Sequence, residues 1–325
     1  MSVQSDSYQA WDIVGLPRWM RVIVTPKTVS RQTSNRILKW FFAARPKTLG
    51  ISLAPVIAGS VLAWHETTHL SWPIFFTTLF AALMIQVGTN LYNDAVDFER
   101  GTDTPQRLGP KRATAEGWFS SVQVKRGAFI SFSLAFLSGI PLAWLGGWPI
   151  VVIGLVSLVA GYAYTGGPRP IAYSASGEFF VFIFFGLIAV LGSYYLQAGT
   201  FSINALYVSF AVGSMAAAVL LVNNYRDLST DLLANKLTLA YYLGRKNSRR
   251  LYAMLILGPF ALPLLLIEAG AGGWLVLSAL PFALVLVRRF ITGSPGPECN
   301  RILAHTAQLQ LFFALLLSTG LAVFN

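Results

Sequence analysis

Nine apolar stretches, at about 48–64, 72–93, 122–145, 148–165, 177–198, 203–225, 250–268, 273–291 and 302–324, constrain this chain more than any other feature. A helix rising 1.5 Å per residue needs about 20 apolar residues to cross the roughly 30 Å hydrocarbon core of a bilayer, and segments of this length recur from residue 48 to the end. The composition agrees, since 55% of the 325 residues are hydrophobic and 11% are charged, against about 25% charged in a soluble domain. The expected fold is therefore all-α: an N-terminal arm over 1–47, then a polytopic membrane domain of nine transmembrane helices over 48–325.

The connections between these stretches alternate in charge. The links 64–72, 146–147, 199–202 and 268–273 contain no Lys or Arg. Eight of the 24 basic residues precede the first stretch, six run from Arg100 to Arg126, Arg169 stands alone, six run from Arg226 to Arg250, and Arg288, Arg289 and Arg301 complete the set. By the positive-inside rule these links are cytoplasmic, with the N-terminus inside and the C-terminus outside, as in a bacterial inner membrane or its equivalent. The net charge of +11 thus reports orientation. No nucleic-acid motif accompanies it, and no nucleic-acid partner is expected. A single cysteine, Cys299, excludes an intramolecular disulfide framework and a CxxC site.

Each of the two long basic links, 94–121 and 226–249, opens on acids. The second stretch ends in Asn90, Asn93, Asp94 and Asp97 and continues to Asp103, and the sixth ends in Asn223, Arg226, Asp227 and Asp231. Spacings of three and four place such oxygens on one helix face. Carboxylates at the end of an apolar helix are costly unless paired, hydrated or holding a cation, so helix capping with Arg100, Arg107 or Arg226 is the competing explanation for any one of them. Two such clusters together read better as facing halves of one site. Oxygen donors without His or Cys favour a hard cation, Mg²⁺ before Ca²⁺, and Mg²⁺ commonly takes one or two carboxylates plus substrate phosphates.

The patterns Asn93-Asp94-x2-Asp97-x5-Asp103 and Asp227-x3-Asp231-x4-Lys236 resemble the paired aspartate motifs of the UbiA superfamily of intramembrane aromatic prenyltransferases. Several further segments are similar to its 1,4-dihydroxy-2-naphthoate branch: Ala44 to Leu49 (ARPKTL), Arg107 to Pro110, Tyr164 to Pro170 (YTGGPRP), Gly177-Glu178 with Phe184 to Gly186, and Asn223 to Asp227. The resemblance covers most of the chain. It implies nine helices around a central cavity under a cytoplasmic cap, with a Mg²⁺-bound prenyl diphosphate between the motifs and an aromatic acceptor beside it. One departure is Asn235, where the family often has Gly before the motif lysine. Asn is the next best residue for a left-handed backbone position, so the geometry is expected to survive.

On this reading Asp94, Asp97, Asp227 and Asp231 hold metal, and Asn90, Asn93 and Asn223 are neutral ligands or donors beside them. Asp103 depends on the loop through Gly101. Lys111, Arg112, Lys125, Arg169, Arg226 and Lys236 are candidate diphosphate partners, Arg169 and Lys236 foremost, although each also serves as a topology signal. Tyr164 could shield a carbocation or touch the acceptor. Glu178 reads as a helix-dipole partner, and the run Phe179 to Phe185 more as packing or lipid-facing surface than as the wall of a prenyl tunnel, which some of its members could line. The expected reaction is Mg²⁺-dependent prenyl transfer, polyprenyl or phytyl, to 1,4-dihydroxy-2-naphthoate with loss of CO₂ in menaquinone or phylloquinone biosynthesis. Other acceptors on the same scaffold are 4-hydroxybenzoate, homogentisate and a chlorophyllide. A cation transporter is the rival from another class, disfavoured because the clusters sit at helix ends and not mid-membrane. Oligomeric state is left open.

Overall fold

The computed structural model describes residues 36–102 and 108–323, without the side chains of 267–271. The chain divides into two units, Met1–Phe42 and Ala43–Asn325. The described part of the first is the body of a short helix, Arg36–Ala43.

Among its described residues the second unit has helices as its regular secondary structure, joined by loops such as 108–120 and 164–170. Its main elements are α1 (Pro46–Thr67), α2 (Trp72–Glu99), α3 (Ser121–Ala163), α4 (Gly177–Ala198), α5 (Ile203–Leu233), α6 (Leu239–Leu257), α7 (Leu280–Thr292) and α8 (Glu298–Val323). Local chemistry sets their ends. Pro46 and Pro73 stand in the first turns of α1 and α2, where a missing N–H costs nothing. Ser120 and Gln123 close a reciprocal capping box on α3.

The 43 residues of α3 would extend roughly 64 Å as one rod, twice the bilayer core. Gly147 breaks it, at φ 68° and ψ −161°, a conformation open to glycine. The two arms fold back on each other: the Phe132 ring of the first packs on Gly161 of the second and on Gly88 of α2, leaving no room for a Cβ at either glycine.

Among the described residues, seven helical segments, α3 counted once, are long and apolar enough to cross a membrane. The stretch expected as a span at 250–268 changes helix type along its length. The α-helix stops at Leu257, and Gly258–Leu264 and Ile267–Ala279 continue as 3₁₀ turns. Pro259 and Pro263 supply no N–H for the i to i−4 ladder, which explains the change of helix type. Lipid is the matching solvent for the surface, with Trp144 88% and Trp148 77% exposed among many outward Phe, Ile and Val side chains. The protein is an integral membrane protein.

α5 is the most deeply buried rod, packed through Ala211, Ala216, Ala217 and Ala218. It touches α4 backbone to backbone, since a Cβ added at Gly186 would lie 2.6 Å from the Ser209 carbonyl and 2.8 Å from Gly213 Cα. Gly186 sits in a π-turn, Ile183–Ile188, that rotates the Phe-rich stretch of α4. α1, α5 and α8 surround the principal apolar core.

Candidate active site

A cavity of about 860 Å³ lies among α1, α2, α3, α4 and α5. Along α2 its wall runs from Thr78 to Asp97, roughly 28 Å at 1.5 Å per residue, so it is nearly as deep as the bilayer core. Most of the wall is apolar, and Phe180, Phe184 and Phe185 contribute to it. These three are the phenylalanines of the Phe179 to Phe185 run that line the cavity, the lesser of the two roles expected for it. Polar and charged side chains gather at one end: Arg45, Asn90, Asn93, Asp97, Arg112, Tyr164, Asn223, Asn224, Asp227 and Lys236.

The first acidic cluster is built on the last turns of α2. Asn90, Asn93 and Asp97 share the face toward the cavity, and all three line it. Asp97 is 1% exposed and accepts from Arg112 Nη2 at 2.9 Å, Asn93 Nδ2 at 3.0 Å and the Tyr173 hydroxyl at 3.1 Å. Asn93 Oδ1 accepts from Arg112 Nη1 at 2.6 Å and Arg45 Nη2 at 3.0 Å. Asn90 donates to the Ala44 carbonyl at 3.1 Å.

Asp94, next in sequence and about 100° around the helix, does something else. Its carboxylate accepts from the backbone N–H groups of Ala113 at 2.8 Å and Thr114 at 3.1 Å, and from the Thr114 hydroxyl, with no place on the cavity wall. Expected as a metal-holding carboxylate, it instead anchors the loop that carries Arg112.

The second cluster is built on the last turns of α5. Asp227 lines the cavity and is gripped by Arg226, whose Nε donates to Oδ1 at 2.8 Å and whose Nη2 donates to Oδ2. Arg226 is 1% exposed and off the cavity wall, and it also donates to Asn223 Oδ1 at 2.8 Å. It is a clamp on Asp227, not a residue facing the cavity. Asp231 pairs with Lys236 at 3.2 Å. The intervening turn is a Schellman motif: Lys236 N–H bonds the Asp231 carbonyl, Asn235 N–H bonds the Leu232 carbonyl, and Asn235 is left-handed at φ 54°. The family departure at Asn235 keeps the geometry, as expected.

Tyr173 joins the two clusters, a role that no spacing in the sequence points to. Its hydroxyl bonds Asp97, its ring carries Lys236 Nζ at 5.1 Å and the Arg100 guanidinium at 5.0 Å, and its carbonyl accepts from Leu237 N–H at 3.1 Å. Burial, reinforced by the Asp97 charge, raises its phenol above the ordinary range, so it stays a neutral donor. A chain of contacts thus runs Asp97–Tyr173–Lys236–Asp231. Arg45 is a second residue that spacing did not single out. It precedes Pro46, a position disfavoured for αR, and takes φ 58° and ψ 63°.

Other expected partners lie elsewhere. Lys111 pairs with exposed Glu116 at 2.9 Å, and Lys125 pairs with Glu99 at 2.6 Å; neither lines the cavity. Arg169 is exposed and outside it. Asp103 lies outside the described residues. Glu178 is buried and accepts from Asn224 Nδ2 at 2.9 Å, so it meets a cavity-wall amide as well as the start of α4.

The model of the UbiA prenyltransferase family matches residues 52–320. The chain belongs to that family. Among curated UbiA relatives, a protein of Escherichia coli (strain K12) named 1,4-dihydroxy-2-naphthoate octaprenyltransferase is 34% identical over 303 residues, 90% of this chain and 98% of that protein. One of the same name from Mycobacterium tuberculosis (strain ATCC 25618 / H37Rv) is 35% identical over 285 residues, 87% of this chain and 97% of that protein. Among solved structures, a UbiA homologue from Archaeoglobus fulgidus bound to GPP and Mg²⁺ matches with a TM-score of 0.63 and 15% identity, covering 88% of this chain and 100% of that one. That likeness carries the fold.

Among the described residues no three His, Cys, Asp or Glu side chains converge as a metal cage. Among the described residues, the carboxylates on the cavity wall are Asp97 and Asp227, with the amides Asn90, Asn93, Asn223 and Asn224 at the same end. An oxygen-only set short of a full cage suits Mg²⁺ shared with a phosphate-bearing ligand.

Proposed function

We propose that this UbiA-family protein transfers a prenyl group from its diphosphate to 1,4-dihydroxy-2-naphthoate with release of CO₂, the step that prenylates a naphthoquinone precursor. The observation that carries the reading is the meeting of Asp97 and Asp227, each with an arginine partner, at the charged end of one long apolar cavity. The names of the 1,4-dihydroxy-2-naphthoate octaprenyltransferases support the choice of acceptor. We further place nine transmembrane passes, the two arms of α3 and the segment from α6 through its 3₁₀ continuation included, after an arm over 1–47. The acidic end faces the cytoplasm beneath a cap formed by the loops after α2 and α5, and the C-terminus lies outside.

Asp97 and Asp227 would hold Mg²⁺, with Asn93 and Asn223 as neutral oxygen donors and Asp231 supporting through Lys236. When bound, Mg²⁺ supplies Lewis-acid stabilisation of charge on the leaving diphosphate. Arg112, Arg45 and Lys236 line the same end and bind the diphosphate oxygens as the allylic C–O bond breaks. The apolar wall receives the prenyl chain and keeps water from the carbocation. Tyr164, on the wall at this end, turns its ring toward the cation or the acceptor. Attack through the carboxylate-bearing ring carbon forms the new C–C bond, and loss of CO₂ returns its electron pair to the ring, so the protein has no ring proton to remove.

The test is an assay with Mg²⁺, labelled prenyl diphosphates of several lengths and a panel of aromatic acids, following prenyl transfer and CO₂ together. Equimolar product and CO₂ with the naphthoate is expected. Transfer without CO₂ would reject this acceptor, and no transfer to any acceptor would reject the reaction.

A further inference from the structure

Asn300 lies on the third residue of α8, far in sequence from both acidic clusters, yet its side chain touches the structures that hold each of them. Its Oδ1 accepts from Arg226 Nη1 at 2.7 Å, and its Nδ2 donates to the Leu108 carbonyl at 2.7 Å. The partners fix the amide orientation, because a guanidinium only donates and a carbonyl only accepts. On one side Arg226 grips Asp227 and Asn223. On the other, Leu108 begins the described part of the loop in which Arg112 binds Asp97 and Asn93. Asp94 pins that loop at Ala113 and Thr114, so Asn300 and Asp94 hold it on either side of Arg112.

A carboxamide with these two bonds fixes one distance, that between the Arg226 guanidinium and the Leu108 backbone. Arg226 Nη1 is left to a buried environment if the amide is removed, and the loop loses its tie to α8 on the N-terminal side of Arg112, keeping those that Asp94 and Arg112 make to α2. Both effects fall on groups whose spacing matters to a ligand that must meet Asp97 and Asp227 at once. We infer that Asn300 is a positioning residue that holds the two acidic clusters in register for a diphosphate, an inference that rests on the reading of the clusters as one diphosphate site.

The experiment uses the full chain in detergent or nanodiscs. Asn300→Leu keeps the size and removes both bonds, and Asn300→Asp keeps the acceptor for Arg226 but sets an oxygen against the Leu108 carbonyl. Two readouts are taken: KM for donor and acceptor separately, and the rise in thermal midpoint on adding inorganic pyrophosphate with Mg²⁺. Asn300→Leu is expected to raise the donor KM at least tenfold and to cut the pyrophosphate-induced rise by half or more, with the acceptor KM within threefold of wild type. Asn300→Asp falls between. A donor KM and pyrophosphate response equal to wild type in both variants overturns the inference. So does an equal rise in both KM values with a lowered midpoint of the unliganded protein, which marks a merely structural role. If the wild type transfers nothing but the pyrophosphate response still depends on Asn300, the proposed reaction fails and the positioning role stands.

Discussion

Asp94→Asn tests the division of labour between neighbouring acids. The carboxylate is 1% exposed and takes two backbone N–H bonds and a hydroxyl bond from Ala113 and Thr114. An amide of the same shape turns one oxygen into a donor, so at least one N–H faces another N–H in a buried site. The lost charge-assisted bond and the stranded donor together cost about 2–3 kcal/mol. At roughly 2 °C per kcal/mol for a chain of this size, the thermal midpoint should fall by about 4–6 °C. Arg112 is the residue before Ala113, so displacement of this anchor moves a guanidinium that bonds Asn93 and Asp97 at 2.6 and 2.9 Å. Turnover should drop at least tenfold while the Mg²⁺ concentration for half-maximal activity stays within twofold of wild type. Asp97→Asn should raise that Mg²⁺ concentration at least tenfold. The assay is a Mg²⁺ titration of prenyl transfer beside a thermal melt of the same preparation. A raised Mg²⁺ requirement in Asp94→Asn with an unchanged midpoint would refute the loop-anchor assignment.

Three other outcomes follow from the same geometry. Tyr173→Phe keeps the ring under Lys236 but removes the bond to Asp97, and a loss of about 1–2 kcal/mol predicts a 5- to 30-fold fall in kcat/KM for the donor; an unchanged value would remove Tyr173 from the site. Lys125→Ala and Arg169→Ala should leave kcat/KM within twofold, because one is a half-exposed surface pair and the other is exposed off the cavity; a tenfold loss in either would return it to the diphosphate site. Asn235→Gly should melt at or slightly above the wild-type temperature and Asn235→Ala a few degrees below it, by about 1 kcal/mol, since φ 54° favours Gly over Ala; the opposite order would deny the strain.

Much of the scaffold was legible because lipid imposes length and sidedness on sequence. The break at Gly147 falls at the expected link between the third and fourth stretches, and both acidic clusters end long helices as their positions implied. Rotation about those helices was not legible. In a rod that is apolar nearly all round, the pattern carries little phase, so Asn93 and Asp94, adjacent in sequence, were equivalent candidates for the inward face. Packing decides the matter through Phe132 on Gly88 and through the loop that returns to Asp94. Tyr173, Arg45 and Asn300 escaped for another reason. Each reaches the clusters through tertiary contacts across 48 to 192 residues, and nothing in local spacing encodes such a meeting. The segment 258–279 resisted in the opposite sense. Its hydropathy suits a span, but its prolines forbid a continuous α-helix.

The charge at the mouth of the cavity leads to a last prediction. Asp97, Asp227 and Asp231 face Arg45, Arg112, Arg226 and Lys236, and each of the three acids is paired with one of the cations. Pairing is what allows buried carboxylates to stay ionised at a helix end, since an isolated one would cost several kcal/mol and would protonate. On the cavity wall, among the described residues, the cations Arg45, Arg112 and Lys236 exceed the carboxylates Asp97 and Asp227 by one, so a diphosphate meets a wall slightly positive before any metal is present. Metal-free protein should therefore bind inorganic pyrophosphate weakly, with affinity rising at least tenfold on adding Mg²⁺. Arg112→Gln should lose the metal-free binding, because it removes a cation from the wall and leaves Asp97 with less compensation. Titration calorimetry with and without EDTA measures both. Equal affinity with and without Mg²⁺ would mean that the carboxylates hold no metal with the ligand. Metal-free binding that survives Arg112→Gln unchanged would mean that the diphosphate is held somewhere other than this end of the cavity.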